Sequence, residues 1–129
     1  MDQKLVEITS HDGPGFQPLA IFGAWRVALM NDDPAKYRRE TVPYMERHNK
    51  TDEVFALLEG NCTLLIGDGD ETPGTITALP MDPNKLYNVK QGVWHNLLGT
   101  PEMKLLIVEN SDVSRSNSSY YDVTPDMLP

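Results

Sequence analysis

Glu46, His48 and Glu53 fall within eight positions of the stretch MERHNKTDEVFALLEG (45–60), which runs directly into an apolar segment. His95 follows in KQGVWHNLL (90–98). Ionisable groups set against an apolar strand are costly unless a partner, an ion or a substrate satisfies them. Imidazole nitrogen and carboxylate oxygen are together ligands for Mn, Ni, Zn or Fe. Two histidines with one or two carboxylates leave coordination positions open for water or a substrate. Side chains of a strand alternate faces, so Tyr44, Glu46 and His48 share one face of ETVPYMERH. By the same rule Glu53, Phe55 and Leu57 share a face, and His95 points inward with Leu97. The predicted ligands of a divalent metal ion are His48, Glu53, His95 and Glu46. Where Glu46 does not ligate, it is the predicted general base toward a substrate hydroxyl. Tyr44 shares the inward face and is a candidate to donate its hydroxyl to a substrate oxygen; the plainer reading is a core aromatic.

Such a set has to be held by short, firmly paired elements. Apolar or alternating runs occur at 5–8, 21–30, 40–47, 53–59, 62–67, 75–80, 86–90, 94–98 and 103–109. Turn-forming clusters such as DGPG (12–15), NDDP (31–34), GDGDETPG (67–74) and GTPE (99–102) separate them. Short strands with turns about every ten residues predict an all-β barrel or sandwich. Glu59-Gly60-Asn61 reads as a hairpin turn, with Gly60 at positive φ, pairing 53–59 with 62–67 in one sheet. Both faces of 53–59 are apolar beyond Glu53, so this strand is predicted to be buried on both sides or to face an interface.

The 129 residues amount to one domain (1–129), with a barrel core at about 20–110 and a polar C-terminal tail at 111–129. Tyr120 and Tyr121 are the candidates to pin that tail across the barrel. The net charge of −8 argues against nucleic acid and against an anionic membrane surface. No segment approaches the apolar length of a membrane-spanning helix, and MDQKLVEITS lacks a signal pattern. Cys62 is the single cysteine and reads as a small core residue, which fits a cytoplasmic location. His11 lies in a Gly/Pro-rich loop and is predicted to be solvent-exposed. Arg26 and Lys50 are possible carboxylate clamps, with surface positions the better expectation. Trp25 is expected in the core or at a dimer interface. Val54, Ala56 and Leu58, with the N-terminal strands, suggest a homodimer surface.

His48, then four residues, Glu53, then six residues, Gly60 resembles the latter part of the first cupin motif. Gly92, two residues, His95 resembles the core of the second. The resemblance implies an RmlC-like jelly-roll barrel, a double-stranded β-helix, in which His48, Glu53 and His95 serve as metal ligands. Glu46 stands where that first motif has a histidine. MERH (45–48) and GVWH (92–95), followed by LLIVEN, also resemble the ureidoglycolate lyase family, a branch of the same fold. That resemblance implies release of urea and glyoxylate from ureidoglycolate. Asp52-Glu53 replaces that family's usual Ser-Gln, and Asn96-Leu97 follows the GVWH histidine.

Three classes of function are therefore in view. A metal-dependent enzyme acting on a small polar metabolite, such as a ureidoglycolate-like hydroxy acid or a sugar derivative, needs an open polar pocket. A non-catalytic cupin that senses or sequesters a small molecule needs a pocket without a free base. A barrel serving only assembly would fill its mouth with bulky side chains.

Overall fold

A computed structural model describes residues 2–129. Ten strands run along the chain: β1 (Gly15–Phe22), β2 (Trp25–Asn31), β3 (Tyr44–His48), β4 (Glu53–Glu59), β5 (Cys62–Gly67), β6 (Ile76–Pro80), β7 (Tyr87–Val89), β8 (Trp94–Gly99), β9 (Lys104–Asn110) and β10 (Ser118–Asp122). They form two five-stranded antiparallel sheets in the orders β1-β2-β9-β4-β7 and β10-β3-β8-β5-β6. This is the predicted all-β, small cupin jelly-roll architecture. No helix in the described residues is long and apolar enough to cross a membrane.

The inner faces of the two sheets share one core. Ala28, Phe55, Leu57, Leu64, Leu97, Leu105 and Ile107 are buried there, with Cys62 among them. Burial pushes the Cys62 thiol up to about 12, which makes it inert at neutral pH. A second cluster lies on the outer face of the β10-β3-β8-β5-β6 sheet, where Val42, Met45, Leu65 and Trp94 pack with Val123 and Leu128. The C-terminal segment is thus structural: β10 pairs with β3 along its whole length, and the residues after it cover Trp94. It is a strand and a cover as well as a polar tail.

Several expectations change. The 53–59 and 62–67 strands form as predicted, and Gly60 has φ +70°, but they are not a hairpin. β4 pairs with β9 and β7, while β5 pairs with β8 and β6, so the link carries the chain from one sheet to the other. The reason is local: a Cβ on Gly60 would lie 2.6 Å from the backbone of Glu102, so the turn packs under the β8–β9 connection instead of closing a ladder. The run 21–30 is two strands, because Gly23 at φ +56° and Ala24 turn the chain between Phe22 and Trp25. Residues 5–8 form no strand, and Leu5, Val6 and Ile8 are exposed. Trp25 is not in the core; it is half exposed beside Phe22. Of the two alternatives for β4, burial on both sides is not met within the chain: Phe55 and Leu57 are inside, whereas Leu58 is exposed, which leaves the interface alternative.

Candidate metal centre and pocket

Strand register explains how residues far apart in sequence arrive at one place. In one sheet Tyr120, Glu46 and His95 are successive cross-strand partners on β10, β3 and β8. In the other, Arg26 pairs with Glu109 across β2 and β9. The β4–β9 register Val54–Val108, continued by one residue, brings Glu53 opposite Glu109. Each row points inward because its neighbours two residues away, Leu97 in the first and Ala28, Ile107 and Phe55 in the second, are core residues. The rows face each other across a cavity of about 280 Å³, just below the usual range for ligand pockets (~300–1,000 Å³).

At its centre, Glu53 Oε1 lies 2.9 Å from His95 Nε2 and 3.1 Å from His48 Nε2. The two imidazole rings are 5.3 Å apart, edge to face. Glu53, His48 and His95 are all buried. His95 Nδ1 donates to the Val93 carbonyl at 2.9 Å. That bond fixes the tautomer, so the Nε2 lone pair of the neutral ring points at the cavity, which is the form a metal needs. His48 Nδ1 is held 2.9 Å from the Ser118 hydroxyl.

Without a cation the same atoms must hold an extra proton, because Nε2 of His95 can bond carboxylate Oε1 only by donating. Burial of the ring works against the charged form, but the Glu53 hydrogen bond and the charges of Glu53 and Glu46 outweigh it and raise His95 to about 9. Burial likewise disfavours ionised Glu53, yet its hydrogen bonds from the two imidazoles hold it well below the usual carboxylate range. His48 is raised in the same way: burial opposes the shift, and the Glu53 hydrogen bond overcomes it. Glu46 is raised chiefly by burial, offset in part by His95.

Glu109 completes the arrangement. Arg26 grips its Oε1 at 2.9 Å, while Oε2 is buried, 3.8 Å from His48 Nε2, and has no hydrogen-bond partner among the described residues. Burial and the Glu53 charge push Glu109 up to about 7 despite Arg26. An orphaned carboxylate oxygen beside a His–Glu–His cluster is a strained arrangement that a cation relieves. Ligand atoms of Glu46, His48 and His95 lie within 4.8 Å of one another, and so do those of His48, Glu53 and Glu109. Nitrogen and carboxylate donors at these spacings fit a divalent ion.

The structure therefore brings together Glu46, His48, Glu53 and His95, the residues singled out from sequence. It does not bring Tyr44 to the cavity wall: that ring packs edge-on against Tyr120 at 4.9 Å, and Tyr37 lines the cavity instead. Arg26 is not a surface residue, since its guanidinium reaches Glu109 inside the pocket. His11 is half-buried, with Nε2 bonded to the Gly15 carbonyl at 2.8 Å, because the loop folds back over the end of β1. Lys50 is exposed, as expected. Arg26 takes the clamp role that was its lesser expectation, on Glu109, and Tyr120 joins the tail to β3 as expected; Glu109, Tyr37, Arg115 and Ser118 were missed. Glu109 had a signal: Leu105, Ile107 and Glu109 repeat with period two, so an apolar face ends on a carboxylate, as it begins with one at Glu53.

No protein-family model matches the chain, and no curated protein matches it. Solved structures do. A cupin-2 domain protein from Shewanella frigidimarina aligns at 19% identity and TM-score 0.53, over 84% of this chain and 90% of the other. A Streptomyces PAC13 variant with uridine aligns at 8% identity and TM-score 0.61, over 92% and 89%; Pac13 is described as a nucleoside dehydratase. WlaRB, a TDP-quinovose 3,4-ketoisomerase from Campylobacter jejuni, aligns at 16% identity and TM-score 0.57, over 80% and 73%. At these identities the likeness is one of fold: the chain has the small jelly-roll fold of cupin-domain proteins, and its pocket gathers two histidines and three carboxylates.

Proposed function

We propose that this protein holds one divalent cation (Mn, Ni, Zn or Fe) on His48, His95 and Glu53, with Glu46 or Glu109 as a further ligand, and acts on a small polar metabolite. The single observation that carries this reading is Glu53 Oε1, buried and within 3.1 Å of two imidazole nitrogens, beside the unpartnered Oε2 of Glu109. A bound dication supplies Lewis-acid polarisation of a substrate oxygen. The chain's own groups do the rest. Val93 and Ser118 orient the imidazoles, Arg26 holds Glu109, and the apolar walls of Phe55 and Leu97 limit water. Glu46, half-buried and raised above the ordinary carboxylate range, accepts a proton from a substrate hydroxyl. A lyase step on a hydroxy acid of the ureidoglycolate type, or on a sugar derivative, meets those requirements. A dehydratase and ketoisomerases among proteins of this fold support an enzymatic reading.

A second reading, a non-catalytic binding or sensing protein, draws on one observation: Glu46 lies within ligand distance of both histidines. A Glu46 that ligates leaves no free base on that wall. Elemental analysis of protein purified without chelator tests the metal centre. About one ion per chain is expected, lost in His48→Ala and in His95→Ala. A metal-free protein whose stability is unmoved by added Mn, Ni, Zn or Fe overturns the reading.

The outer face of the β1-β2-β9-β4-β7 sheet suits a second copy of the chain. Val27, Val108 and Val54 form one row across three strands there, and Leu29, Leu106 and Ala56 form the next. Phe22, Trp25 and Leu58 are exposed on the same sheet, so the proposed assembly is a homodimer built on this face.

A further inference from the structure

The pocket has an end that the metal centre does not use. Arg115 opens a single 3₁₀ turn (Arg115–Asn117) between β9 and β10 and lines the cavity with Val113, Ser114 and Tyr120. The turn is rigidly tied. Asn117 Oδ1 accepts from the Ser114 amide at 2.9 Å, its Nδ2 donates to the Asp112 carbonyl at 2.9 Å, and its carbonyl accepts from the Asn49 amide at 2.9 Å. The guanidinium lies 4.6 Å over the ring of Tyr120, the residue that pairs with Glu46 in the row ending at His95. Among the described residues it has no ion pair and no side-chain hydrogen bond. The other guanidinium of the pocket, Arg26, is occupied by Glu109.

We propose that Arg115 is the binding residue for a carboxylate of the ligand, so that the pocket takes a small organic acid rather than a neutral sugar. This rests on the metal-centre reading above. Three carboxylates (Glu46, Glu53, Glu109) face two guanidiniums in the cavity. With neutral imidazoles the pocket carries one net negative charge. A dication turns that into one net positive charge, which a monoanion neutralises. Stacking on Tyr120 holds the planar fork of Arg115 in place, leaving its edge N–H groups free for a bidentate carboxylate. The small cavity then places the acid's adjacent oxygen toward His48, His95 and Glu46.

Isothermal titration calorimetry on the metal-loaded protein tests this with glycolate, lactate and pyruvate against glycolamide, lactamide and pyruvamide, which keep the shape and remove the charge. At least one acid is expected to bind about tenfold or more tighter than its amide. Arg115→Gln is expected to cut that preference about tenfold, with metal content unchanged. Arg115→Lys keeps the charge without the fork and is expected to fall between. No acid preferred over its amide in the wild type, or a preference undiminished in Arg115→Gln, overturns the proposal. A wild type without metal overturns the metal centre alone; acid preference in that metal-free protein, lost in Arg115→Gln, upholds Arg115 by itself.

Discussion

His95 donates from both ring nitrogens when no cation is present, one proton to Val93 and one to Glu53. This makes stability of the metal-free protein a function of pH. His95 titrates at about 9 in the fold against 6.5 for a free ring, so its contribution is complete below about 6.5 and is lost as pH rises through 9. Glu109, raised from 4.5 to about 7, acts in the same sense: its folded-state proton favours the fold at low pH and is lost through 7. Glu53 acts oppositely, contributing above about 4.5 and losing its contribution as pH falls below that. Thermal melts of chelator-treated protein should therefore peak at about pH 4.5–5, decline as pH rises to 7 through Glu109 and decline further toward 9 through His95. Added divalent metal should reverse the alkaline decline, because ligands bind metal in their deprotonated form. A melting temperature flat between pH 6 and 9.5 without metal would contradict this proton inventory.

At the scale of elements, the site is a product of register. β4 and β8 were legible in the sequence because their apolar periodicity is strong and turn residues bound them. Their inward faces followed from alternation, and with them the inward aim of Glu53 and His95. Pairing was not legible. The link at Gly60 looked like a hairpin turn because Glu-Gly-Asn between apolar runs usually is one, and only the approach of the Glu102 backbone shows that it passes between sheets. Gly60→Ala is expected to combine a left-handed backbone penalty of ~1–2 kcal/mol with a clash against Glu102. The melting temperature should fall by about 5 °C or more, with metal stoichiometry retained at lower temperature. An unchanged melting temperature would show that the turn relaxes freely. The stretch 21–30 was misread for a related reason: Gly23 and Ala24 are too short an interruption to register against ten mostly apolar residues.

For the whole molecule, the uneven treatment of the two outer sheet faces is informative. One is covered by the chain's own C-terminus through Val123 and Leu128. The other shows Phe22, Trp25 and Leu58 to solvent, and the residues Leu5, Val6 and Ile8 are exposed as well. Light scattering is expected to give twice the chain mass, and Trp25→Glu is expected to shift it toward the monomer while leaving the far-ultraviolet circular dichroism unchanged. A wild-type monomer at high concentration would count against a homodimer. The sequence alone determined the all-β class, most strand positions and the inward aim of Glu46, His48, Glu53 and His95, because alternation and turn chemistry are local properties. Tertiary structure decided which strands became neighbours, and so placed Glu109 and Arg26 beside Glu53, gave Tyr37 rather than Tyr44 the cavity wall, and set Tyr120 beside Glu46. Those are contacts between segments up to 83 residues apart, as for Arg26 and Glu109, and the pairing energies that select them belong to no single segment.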